Sequence, residues 1–145
     1  GGGMPIGAFI ASFERMRLLQ DNPKLGHIST FAGHPVIAAA ATATVKEILD
    51  KDLLSESLRK EIVIRKHLQH PSIKEIRGKG LMLIALVESP ELAAKIILRC
   101  LEKGLILFFL LFEGKAMRIT PPLTISDEEL IIGCAIIIET IEELV

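Results

Sequence analysis

Two apolar runs near the C-terminal end constrain the fold most: LILFFLLF at Leu105–Phe112 and IIGCAIII at Ile131–Ile138. Neither approaches the ~20 residues of a membrane-spanning helix. Both are too apolar to be left in water. The length and aromatic content of the first predict a buried strand. The second lies inside a helical pattern and is apolar on more than one face. Apolar surface beyond what one small core covers points to missing protein against it. The sheet and helix built from these runs are therefore expected to meet another domain or another subunit.

Punctuation residues place the remaining elements. The glycine-rich opening GGGMPIG leads into a predicted short strand at Ala8–Ala11, then a short helix at Glu14–Leu19 and a loop around Asn22-Pro23. Pro35 suits the first position of a helix, and VIAAAATATVKEILD carries that helix to about Asp50. Its five alanines invite close packing on several sides. A second helix is predicted at Leu53–His67, bounded by His70-Pro71. Strands follow at Ile73–Arg77 and Leu81–Val87, divided by Gly78-Lys79-Gly80, which suits a hairpin or a bulge. Ser89-Pro90 opens a third long helix and Gly104 closes it with a left-handed cap. After Leu105–Phe112, a turn at Glu113–Lys115 leads to a strand at Ala116–Thr120 that Pro121-Pro122 breaks. Ser126 and Glu129 form a capping box for a final helix reaching about Leu144. This order predicts an α+β fold, with helices on one face of a mostly antiparallel sheet of three or four strands.

Charge and composition narrow the function. With 17 basic and 18 acidic side chains, the net charge of −1 gives no drive toward nucleic acid or an anionic membrane. There is no Trp or Tyr to stack bases. Cys100 and Cys134 fall within apolar helical patterns and read as buried thiols, and no Cys/His spacing suggests a metal. A reducing, cytoplasmic setting is expected.

Some residues carry candidate chemistry. The hydroxyls of Ser29 and Thr30 precede the Pro35 helix. They suit either a loop of capping residues or an anion site where hydroxyls and backbone N–H groups converge. Arg118 can grip a carboxylate in bidentate fashion, or be a surface arginine facing away from Met117 and Ile119. His34 is expected to cap the helix through its side chain, His27 has no assigned role, and Arg77 reads as structural. Glu128-Glu129 and Glu142-Glu143 read as helix-end and solvated carboxylates.

Four motifs taken together, GGGMPIGAFIAS at 1–12, STFAGHPVIAAAA at 29–41, RGKGLM at 77–82 and MRITPPLTISDEEL at 117–130, resemble the class III, fold-type I aminotransferases that use pyridoxal 5′-phosphate. The nearest look like the acetylornithine, ornithine and 4-aminobutyrate enzymes, and the motifs fall in that family's C-terminal third. The resemblance implies a remnant of the large cofactor domain at 1–33, an interdomain helix at 34–52 and the small C-terminal domain at 53–145. It implies that Thr30, supported by Ser29, holds the cofactor phosphate of a neighbouring subunit, so that a homodimer completes the pocket. Arg118 would bind the substrate carboxylate, and Gly2 and Gly3 would line the pocket wall. The Schiff-base lysine of the family stands just upstream of the glycine run, before Gly1, so the chain alone is expected to be inactive. The parent would pass an amino group from an ω-amino or ornithine-type donor to a 2-oxo acid such as 2-oxoglutarate. The alternative is a non-catalytic module that binds an amino acid or mediates assembly. Relatives often carry polar or Trp/Tyr residues where this chain has LILFFLLF, so substrate choice does not transfer.

Overall fold

A computed structural model describes all residues except Asn22, Leu25 and His27. The unassigned His27 and part of the expected Asn22-Pro23 loop thus lie outside the described residues. The chain forms two compact units, Gly1–Lys51 and Asp52–Val145.

The first unit holds α1 (Phe13–Asp21) and α2 (Pro35–Asp50). Ile37, Ala40, Ala41, Thr44 and Ile48 form the half-buried stripe of α2, the 3.6-residue repeat of a helix that packs along one side. Gly2, at φ +63°, lies against this stripe, where a Cβ would overlap the Thr44 hydroxyl. The strand expected at Ala8–Ala11 is absent. Those residues take no regular secondary structure, with Phe9 and Ile10 exposed. A strand needs a neighbour for its N–H and C=O groups, and none of the described residues of this unit offers one.

The second unit contains α3 (Leu53–His67), β1 (Glu75–Lys79), β2 (Met82–Leu86), α4 (Pro90–Glu102), β3 (Phe108–Phe109), β4 (Ala116–Ile119) and α5 (Asp127–Leu144). The strands form one antiparallel sheet in the order β1-β2-β4-β3. Alternation along the strands sends Leu83, Ala85, Met117 and Ile119 to the core, against Ile64 of α3, Ile96 and Cys100 of α4, and Cys134, Ile137 and Ile141 of α5. The other face carries Arg77, Ile84, Arg118 and Phe108 in one cross-strand row.

Local chemistry sets the boundaries. The β1–β2 register runs one-to-one to Lys79↔Met82, so the connection is a two-residue hairpin over Gly80-Leu81, without a bulge. Gly80 supplies the positive φ, +58°. Ser89 caps α4 by accepting from the Leu92 N–H at 3.1 Å. At its other end, Gly104 N–H donates to the Leu101 carbonyl and Leu105 N–H to the Cys100 carbonyl. This is a Schellman motif around Gly104 at φ +86°. Ser126 and Glu129 form the expected capping box of α5.

The hairpin is tied to α3. Glu61 accepts from the Gly80 N–H at 2.5 Å and from Arg65 at 2.8 Å. Arg65 in turn donates to the carbonyls of Ile76, at 2.7 Å, and Gly78, at 3.3 Å, on the edge strand β1. The opposite edge, β3, has no such cover. It pairs with β4 over two residues only, and the buried eight-residue strand expected at Leu105–Phe112 does not form. Leu107 reaches the core, while Ile106, Phe108, Phe109, Leu111 and Phe112 are exposed. An edge strand is held from one side, and no strand of this unit pairs with the outer side of β3.

Candidate functional site

In the first unit, the loop before α2 is folded by tight turns. Ala32 N–H donates to the Ser29 carbonyl at 3.0 Å and His34 N–H to the Phe31 carbonyl at 3.2 Å, with Gly33 at φ +69°. These turns deliver Pro35 to the first helical position. The N–H groups of Val36 and Ile37 then have no carbonyl within the helix to bond. Beside this helix start is a cavity of about 330 Å³ lined by Pro5, Ser29, Phe31, Gly33 and His34, among others. Ser29, His34 and Ile37 line one cavity at the positive end of a helix dipole, and a hydroxyl, an imidazole and an open amide together form a chemistry that suits a phosphate.

His34 departs from expectation. It occupies the N-cap but its side chain makes no capping bond. At φ −54° and ψ 125° its backbone starts the helix, while the ring tilts against Phe31 with centroids 6.4 Å apart. Its Nδ1 is buried without a hydrogen-bond partner. Ser29 lines the cavity, whereas Thr30, Gly2 and Gly3 are not among its lining residues. Thr30 is exposed on the turn. Gly2 packs on α2, and Gly3, at φ +86°, has open space where a Cβ would stand.

Arg118 belongs to the second unit, on β4, half-buried on the sheet face away from the helices. Its cross-strand neighbours are Ile84 on β2 and Phe108 on β3. The guanidinium carbon lies 4.7 Å from the Phe108 ring centroid, a cation–π contact. Its Nε is buried with no acceptor, and no carboxylate among the described residues pairs with it. Arg77, in the same row, is bound to Glu75 at 2.7 Å, in keeping with a structural role. The Phe108–Arg118 pairing escaped the sequence reading, because it depends on register between segments ten residues apart.

An apolar cavity of about 410 Å³ lies in this unit, bordered by Ile64, Leu105, Pro121, Cys134 and Ile137. Burial pushes the Cys134 thiol up to about 11 and raises that of Cys100. Both are neutral packing groups at neutral pH, as expected for buried cysteines. No cluster of His, Cys, Asp and Glu among the described residues could hold a metal. No helix among them is long and apolar enough to cross a membrane.

The model of the aminotransferase class-III family matches residues 1–141. The chain is 38% identical over 143 residues to a leucine/methionine racemase of Thermococcus litoralis, covering 90% of this chain and 31% of that protein. It is 33% identical to an acetylornithine aminotransferase of Caldanaerobacter subterraneus, covering 99% of this chain and 36% of that one. The solved structure of the ornithine aminotransferase from Toxoplasma gondii superposes with a TM-score of 0.75 at 30% identity, over 89% of this chain and 32% of that one. The chain thus spans about a third of the length of the relatives it matches.

Proposed function

Since this chain belongs to the class-III aminotransferases, we propose that it is the C-terminal part of a pyridoxal-phosphate-dependent transaminase. The parent moves an amino group from an ω-amino or ornithine-type donor to a 2-oxo acid such as 2-oxoglutarate, in the cytoplasm. The observation that carries this reading is Arg118: a half-buried cation at the edge of an apolar cavity, its Nε without an acceptor and with no salt-bridge partner among the described residues. Such a group suits a carboxylate supplied from outside.

Pyridoxal phosphate, when bound, supplies the electron sink for charge at the substrate α-carbon. The residues of this chain do the holding. Ser29 and Thr30, with the open amides at the start of α2, hold the phosphate of a neighbouring subunit, and His34 contributes its unpartnered Nδ1 to the same loop. Gly2 and Gly3 keep the backbone slim at the pocket wall. Arg118 orients the substrate by its carboxylate. Within these 145 residues no lysine stands in the context where the family attaches its cofactor, so that amine belongs to the upstream part of the parent. The chain alone is then inactive and needs the large domain and a second subunit. The exposure of Phe9, Ile10, Phe13, Leu18 and Phe31 in the first unit supports such cover.

Two measurements test the reading. Borohydride reduction of the 145-residue chain with pyridoxal phosphate gives no stoichiometric adduct at one lysine, and such an adduct would contradict the missing-amine assignment. The coding sequence extended upstream yields a protein that transfers nitrogen to 2-oxoglutarate, and Arg118→Gln raises its KM for the acid at least about tenfold. An extended protein with no reaction on amino acids would overturn the proposal. The 38% identity to a leucine/methionine racemase favours a second reading, in which the parent returns a proton to the α-carbon without moving nitrogen. Loss of α-deuterium without 2-oxo acid consumption would mark that case.

A further inference from the structure

The helix α3 buries a charged side chain where its pattern calls for an apolar one. Its inward face carries Leu53, Lys60 and Ile64, and Lys60 is only 6% exposed. An ammonium taken out of water costs far more than a thioether or an aliphatic chain of the same length. What offsets that cost is a contact across the fold: Lys60 Nζ donates to the Leu123 carbonyl at 2.8 Å. The carboxyls of Glu56 and Asp127, held low first by Arg59, also feel the Lys60 charge. Arg59 itself donates to the two Asp127 carboxylate oxygens at 2.7 and 2.8 Å. Two adjacent residues of α3 thus hold the segment between β4 and α5 at Leu123 and at Asp127.

That segment has little else to tie it down. Pro121 and Pro122 have no N–H to offer a neighbour, and the Ile125 N–H is closed on the Pro122 carbonyl at 3.0 Å. Thr120, Pro121, Pro122 and Ile125 of the same segment line the cavity that Arg118 borders, and Lys60 itself does not. We propose that Lys60 is a positioning residue for the Arg118 site: through the Leu123 carbonyl it fixes the cavity wall beside which a carboxylate substrate seats on Arg118. That role rests on the reading of Arg118 as a carboxylate grip, for mono- and dicarboxylates alike. A displaced wall changes how well the acid seats and leaves the reacting groups upstream untouched, so the effect falls on KM rather than on kcat.

The test uses the parent protein expressed from the coding sequence extended upstream, with Arg118→Gln as the reference. Lys60→Met keeps the length of the side chain and removes the donor. It is expected to raise KM for the 2-oxo acid about fivefold, with kcat kept within about twofold. Lys60→Arg keeps a donor and a charge, and is expected to return KM to within about twofold of the native value. In the 145-residue chain with ¹⁵N-labelled arginine, Lys60→Met is expected to shift the Arg118 Nε–H resonance, assigned by its loss in Arg118→Lys. The Ile125 amide should exchange faster there, while the rest of the backbone spectrum is kept. An unchanged KM in Lys60→Met, beside a raised one in Arg118→Gln, overturns the positioning role and leaves the grip standing. An unchanged KM in Arg118→Gln removes the grip and the role of Lys60 with it. A backbone spectrum lost throughout in Lys60→Met, or a KM that Lys60→Arg fails to restore, makes Lys60 a general structural support and overturns the proposal as well.

Discussion

Gly78 and Gly104 both hold a positive φ, +116° and +86°, yet their replacement has different consequences. A Cβ on Gly104 meets open space, so Gly104→Ala bears only the left-handed backbone strain, about 1 kcal/mol. A Cβ on Gly78 would overlap the Met82 carbonyl across the hairpin, so Gly78→Ala adds a clash to a more strained φ and is expected to lose more than about 2 kcal/mol. Urea unfolding of the two variants side by side checks the order. Glu61 gives a pH-dependent case. Arg65 first, and the Gly80 N–H second, hold its carboxyl below the usual 4.5. A depressed folded value means stabilisation that is present above the unfolded value and lost as pH falls through the folded one. The expected loss in Glu61→Gln is about 1 kcal/mol at pH 7, and it narrows as the pH drops below 4.5. Urea midpoints at several pH values follow it; a gap that persists unchanged in acid would refute the assignment.

At the level of elements, legibility tracks how locally each one is specified. Leu53–His67 and the starts of α2, α4 and α5 were readable because Pro35, Ser89-Pro90 and the Ser126–Glu129 box act within a few residues of themselves. The box contributes enough that Ser126→Ala is expected to lower stability by about 1 kcal/mol, read as a lower urea midpoint and faster amide exchange in the first turn of α5. Strands were harder. Ala8–Ala11 and Leu105–Phe112 have the composition of strands, but pairing decides a strand and pairing is not local. The candidate site divides the same way. Ser29, Thr30 and Arg118 are singled out by residue type and motif, and of the first two only Ser29 lines the cavity beside α2. The idle His34 Nδ1 and the Phe108 ring beneath Arg118 were not, because the first depends on where a ring turns and the second on register.

For the molecule as a whole, exposed apolar surface is the dominant feature. No described residue of the first unit is buried, and the second exposes the β3 segment together with Leu54, Leu58 and Ile62 on α3. The 145-residue chain is expected to self-associate. Its light-scattering mass should rise with concentration, and Leu111→Lys with Phe112→Lys should reduce that rise. A monomer at all concentrations, without binding of a hydrophobic dye, would contradict this. The two borders of the sheet also differ in what they permit. Along β1, Arg65 already occupies two carbonyls that a foreign strand would need. Along β3 no strand of this unit occupies the outer border. Two copies that join β3 to β3 present only guarded borders afterwards, so strand-by-strand growth ends with the pair and does not proceed to a fibre.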